Sequence, residues 1–130
     1  MKQVTVMEKY PVFTIELNKN ETSYENIDEI FTYIKSKIKA HPVATYIGEF
    51  DHYKHTDSLK EGKISENIKD AKNIICCFGK SLPKPEILAV RPRAIGVAET
   101  TDSFVVSFLE APNPEANATM EEWVKGIVNR

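Results

Sequence analysis

The sequence predicts an α+β fold: a single domain in which an antiparallel or mixed sheet of about five strands carries two main helices on one face. Three observations predict it. Short stretches of alternating apolar and polar residues recur near 4–6, 12–17, 43–53, 94–99 and 104–109. Two stretches, about 23–40 and about 115–128, place apolar residues at helical spacing. Hairpin-linked strands stand beside segregated helices, which is the α+β pattern. The 130 residues suit one domain spanning 1–130. Area scaling lets such a chain bury about two-thirds of its unfolded surface, enough for a core without metal or disulfide staples.

Val4 and Val6 open the first strand, and Phe13, Ile15 and Leu17 share one face of the next. Pro11 lacks an N–H and is expected at an edge or break. Thr22-Ser23-Tyr24-Glu25 has capping-box form, so the first helix is expected to start at 23, with Ile27, Ile30, Phe31, Ile34 and Ile38 as its apolar stripe. His41-Pro42 ends it. In the strand 43–53, Tyr46, Gly48, Phe50 and His52 fall on one face and Ile47, Glu49 and Asp51 on the other. Residues 54–63 read as a charged loop and 65–72 as a short helix capped by Ser65. The run Ile74-Ile75-Cys76-Cys77-Phe78 has no polar alternation and fits a strand covered on both faces. Residues 81–92 hold three of the seven prolines and form an irregular connector, with a helical turn near 86–89. A hairpin follows at 94–99 and 104–109. The last helix begins either at Asn113-Pro114 or at Thr119 with Glu122, and buries Met120, Trp123, Val124 and Ile127.

Seventeen basic against 19 acidic residues give a net charge of −2, which speaks against a nucleic-acid partner. No apolar run approaches the ~18 residues of a membrane span, so no membrane partner is expected. The N-terminus alternates polar and apolar residues, unlike a signal peptide, and points to a cytoplasmic location.

The series Phe50-Asp51-His52 after an amphipathic helix, an apolar strand ending in Phe78-Gly79-Lys80, a proline-rich stretch with Leu88, a hairpin and Asn113-Pro114 resembles the domain-of-unknown-function 302 family of small bacterial and archaeal proteins. Lys80-Ser81 stands where that family has Asn-Pro. The resemblance implies an α+β fold and dimerisation. More remotely, Tyr46-Ile47-Gly48-Glu49-Phe50 is similar to gyrase-inhibitor-like effector-binding modules, which implies a small-molecule pocket between helices and sheet.

Several residues are candidates for chemistry. His52 beside Asp51 offers an acid–base pair, provided the strand ends or bulges between them, because neighbours on a strand point to opposite faces. Cys76-Cys77 fits no zinc spacing, and a nucleophilic Cys76 needs a cation nearby. Glu49, Asp51, His52 and His55 lack the spacing of a metal motif, so no metal and no cofactor are expected. Arg91-Pro92-Arg93 concentrates two of the three arginines, with Lys80 close in sequence, and suits a carboxylate or phosphate. The alternative is that both arginines pair with Glu86 or Glu99.

The expected site is a cleft combining His52 and Asp51 with Lys80, Arg91 and Arg93. The expected function is non-catalytic binding of a small anionic ligand, or an interaction module. A small enzyme using Asp51–His52 or a Cys76 nucleophile is one alternative, and a homo-oligomeric assembly protein is another. A homodimer is expected because the sheet face without helices, with Val12, Ile47 and Val105 among Thr14 and Glu16, needs cover.

Overall fold

The structure is a computed structural model and describes residues 1–128. Strands β1 (Lys2–Val6) and β2 (Tyr10–Asn18) lead through a short 3-10 turn into helix α1 (Ile27–Ala40). Strand β3 (Thr45–Asp51) runs directly into helix α2 (His52–Ser58). Then come β4 (Asp70–Cys77), a 3-10 segment at Pro85–Val90, β5 (Arg93–Glu99), β6 (Ser103–Leu109) and α3 (Pro114–Lys125). The six strands form one sheet in the order β1-β2-β6-β5-β4-β3, with every pair antiparallel. The α+β fold is therefore as the alternation and helical spacing predict.

Alternation sends Leu17, Ile74, Ile95, Val97, Phe104, Val106 and Phe108 to one face, where they are buried against Ile27, Ile30, Phe31, Ile34 and Ile38 of α1. Met120, Trp123 and Val124 of α3, followed by Ile127, complete the same core. Each large side chain removed from water in this layer contributes ~1.5–3 kcal/mol. Phe13 and Ile15 are only half-buried, at the β2 margin of the layer.

Four local expectations are corrected. Helix α1 begins at Ile27, one turn later than the Thr22 box suggests. Asn26 caps it, its side chain accepting from the Glu29 amide at 2.9 Å, while the Glu29 carboxylate accepts from the Glu25 amide at 2.7 Å. The Thr22 hydroxyl instead donates to the Ile127 carbonyl at 2.7 Å and ties the approach to α1 to the segment after α3. Second, the strand stops at Asp51. The Asp51 carboxylate accepts from the Lys54 amide at 2.9 Å and caps α2, so residues 52–58 are helical rather than strand and loop. Third, residues 65–69 form turns, not a capped helix, and β4 starts at Asp70. Fourth, a bulge between Tyr46 and Gly48 shifts the β3 register, pairing Tyr46 with Cys76 but Gly48 with Ile75. The bulge breaks strict alternation. Tyr46 and Glu49 consequently share the helix-bearing face, joined by a 2.8 Å hydrogen bond from the tyrosine hydroxyl, while Phe50 turns to the other face.

The last helix takes the Asn113 start. The Asn113 side chain accepts from the Glu115 amide at 2.8 Å, and Pro114 occupies the first turn, where its missing N–H costs nothing. Among the described residues no helix is long and apolar enough to cross a membrane.

Candidate functional site

The β3–β4 register divides the expected site in two. Thr45 pairs with Cys77 at one end and Asp51 with Lys72 at the other, roughly 20 Å apart at ~3.3 Å per residue. His52 and Asp51 sit at the Lys72 end. Lys80 and Arg91 follow from the Cys77 end, so the structure does not bring His52 and Asp51 into a cleft with them.

At the Lys72 end, Asp51 faces Lys54 and Lys72 rather than His52. One Asp51 oxygen caps α2 and the other lies 3.9 Å from the Lys72 ammonium. Lys72 bonds Asp28 at 2.7 Å, and that bond, with Asp70 and Asp51 nearby, raises its pKa against the opposing effect of burial. His52 and His55 both pack on Phe50, with ring centres 4.6 and 5.5 Å away. Glu49 lies on the opposite sheet face, so these four candidate ligands do not converge.

At the other end the chain builds a pocket of about 400 Å³ from four segments. Its floor is aromatic. Phe78, just past β4, stacks on Trp123 of α3 at 5.5 Å, and the His41 ring stands edge-on to both, at 5.6 and 6.0 Å. His41 is the residue that ends α1. Its Nδ1 accepts from the Val43 and Ala44 amides at 3.1 and 3.0 Å, which leaves the ring proton on Nε2. One wall is the first turns of α3, with Asn113, Glu115, Ala116 and Thr119. The connection into α3 is fixed by Asn117, whose amide side chain both accepts from and donates to the Ala111 backbone, at 2.7 and 2.9 Å.

The remaining wall carries Lys80, Ser81 and Arg91. Arg91 donates to the Ser81 carbonyl at 2.7 Å, which folds the proline-rich connector back over β4. Gly79 makes this approach possible: a Cβ there would meet the guanidinium at 2.7 Å. Neither Lys80 nor Arg91 has a carboxylate within ion-pair distance among the described residues. Glu99 is taken by Lys19 at 2.7 Å, so the expected alternative of arginines paired with Glu86 or Glu99 does not hold there. Glu115 is the one carboxylate on the pocket wall. Lys80 and Arg91 also border a second, shallower cleft of about 420 Å³ that runs toward Ile47, Leu82 and Leu88.

Arg93 does not line this pocket but borders, with Arg91, Phe78, Asn113 and Ala116, a smaller adjoining cavity of about 70 Å³. It faces the helices from β5, opposite Cys76, and donates to the Val90 and Leu109 carbonyls at 3.0 and 2.6 Å. Its Nε is buried without a partner, and burial lowers its pKa. These bonds clamp the 3-10 segment to the end of β6. Cys76 is 1% exposed, and burial, with Cys77 beside it, pushes its thiol up to about 11 despite the Arg93 charge. A thiol so placed stays protonated at neutral pH, the reverse of an activated nucleophile.

His41 is the pocket residue that sequence reasoning misses. In the sequence it registers only as a helix stop before Pro42, because its ring partners lie 37 and 82 positions further along.

A family model, that of a family of unknown function (DUF6858), matches residues 1–129. This corrects the resemblance to the domain-of-unknown-function 302 family, and the dimerisation and bacterial source it implied lose that support. The short motifs behind it, Phe-Asp-His and Phe-Gly-Lys, sit at the end of β3 and just past the end of β4. The likeness to gyrase-inhibitor-like modules finds no support either. No curated protein and no solved structure matches the chain.

Proposed function

Since the chain belongs to the family of unknown function DUF6858, which brings no assigned activity with it, we propose from the pocket chemistry that it binds a small anionic molecule without transforming it. One observation carries this reading. Lys80 and Arg91 face a pocket of about 400 Å³ with no carboxylate partner among the described residues, and that volume suits a small ligand. An unpaired guanidinium beside an ammonium favours a carboxylate or phosphate, because charge-assisted bonds are about twice as strong as neutral ones. The Phe78 and His41 rings suit a ligand with a flat or apolar body behind its anionic group. The site thus keeps Lys80 and Arg91 from the expected set, takes His41 in place of His52 and Asp51, and gives Arg93 a supporting role. Two free cysteines fit work in the reducing cytoplasm.

The test is thermal unfolding across a panel of phosphates and carboxylates. A ligand at a hundred times its Kd stabilises by ~2.7 kcal/mol. The double variant Lys80→Gln/Arg91→Gln is expected to lose this stabilisation, measured against its own unliganded melting temperature, because Arg91→Gln also removes the bond to the Ser81 carbonyl, worth ~1 kcal/mol. Equal stabilisation of wild type and variant by every compound, or none in wild type, overturns the reading.

A further inference from the structure

We infer that the sheet face opposite α1 and α3, which α2 covers only at its Phe50 corner, is where two copies of this chain pair, face against face. The chain exposes 8420 Å². That is about 1,400 Å² more than the ~7,000 Å² expected of a folded monomer of this mass, and a stable dimer needs ~800 Å² from each partner. Exposed apolar side chains lie on this face. The register places Val12, Val105 and Leu109 there, with Leu109 44% exposed, and Phe50, 42% exposed, stands at its far side.

The relief of the face suits a second copy. Between Val12, Val105 and Leu109 on one side and Phe50 with His52 on the other runs a trough floored by Ala71, Gly96, Ala98 and Ser107, with the Asn73 carboxamide lying over Gly96. A twofold axis through the sheet centre would seat each copy's valine–leucine ridge in the other's trough, the self-complementary contact that an isologous interface requires. Charge does not oppose it. Lys2 and Glu16 both lie on this face, so it carries charges of both signs, and the Ser103 hydroxyl donates to the Glu16 carboxylate at 2.9 Å.

The sheet edges are poorer candidates. The β3 edge is broken by the bulge at Tyr46–Gly48, and β1 is only five residues long, both devices that discourage edge-to-edge pairing.

Sedimentation velocity at micromolar protein tests this. Wild type is expected to sediment at twice the 14.8 kDa chain mass. The double variant Phe50→Glu/Leu109→Glu places charge at two positions already exposed in the single chain, so folding is spared. It is expected to raise the dimer dissociation constant at least ~100-fold, since each copy would bury unpaired carboxylates. The variant Thr5→Pro, which blocks the β1 edge, is expected to leave the dimer intact. A monomeric wild type, a double variant that dimerises like wild type, or a dimer lost on Thr5→Pro alone overturns the proposal. Neither result depends on the anion pocket, whose variants are read by ligand-dependent melting.

Discussion

Met7 and Glu8 turn the first hairpin through left-handed backbone, at φ of 54° and 63°. Side chains with a Cβ pay ~1–2 kcal/mol each for that conformation, and β-turns whose two central residues both have positive φ favour Asn-Gly. Replacing Met7-Glu8 with Asn-Gly is therefore expected to raise stability by ~1 kcal/mol, read as a higher urea midpoint at unchanged slope. An unchanged midpoint would mean that the turn carries no strain. The pair leaves no mark in the sequence, because neither residue signals a turn. His41 and Arg91 were equally hard to place. Each acts through partners brought by other segments, Phe78 and Trp123 for the histidine and the Ser81 carbonyl over Gly79 for the arginine.

At the scale of elements, the first helix shows how two similar signals compete. Thr22-x-x-Glu25 and Asn26-x-x-Glu29 both have the form of a start signal, one turn apart. The second prevails because Ile27 becomes the first fully buried residue of the stripe, and Thr22 is drawn off to the Ile127 carbonyl. Asn26→Ala is expected to cost ~1 kcal/mol as a lost cap. In Thr22→Val the helix should keep its amide-exchange protection in the first turn while protection falls around 127. Loss of first-turn protection in Thr22→Val would restore Thr22 as the cap. The strand phases of β2, β5 and β6 were legible because strict alternation survives in them. In β3 it does not: one bulge moves Phe50 to the open face and leaves Glu49 over the core side, and nothing in Tyr46-Ile47-Gly48 announces it beyond the glycine.

For the whole molecule, four groups keep their protons longer folded than unfolded: Tyr33, Tyr46 through its bond to Glu49, Lys72 and Cys76. Burial raises Tyr33, helped by Tyr24 and Glu122, and the Asp28 bond raises Lys72. Cys76 moves from its ordinary value near 9 to about 11. Each therefore contributes stability that is complete below its unfolded pKa and is lost as pH climbs through the folded one. Unfolding free energy is expected to fall between about pH 9 and pH 11, with Cys76 alone accounting for up to ~3 kcal/mol. Cys76→Ala should flatten that decline in urea titrations, and an undiminished slope would remove Cys76 as its source. The fold class was legible at this scale because periodicity is a local signal, whereas the strand order was not, since nothing in the sequence sets β2 beside β6. That adjacency has a consequence for synthesis. Val12 lies opposite Leu109, so the first hairpin leaves the ribosome with one flank bare and waits until β6 has been made before its neighbour exists. At ~5–20 residues per second the wait lasts roughly 5–20 s. A nascent chain halted before β6 thus presents an unpaired strand rich in Val, Phe, Ile and Leu, the kind of surface that holding chaperones recognise.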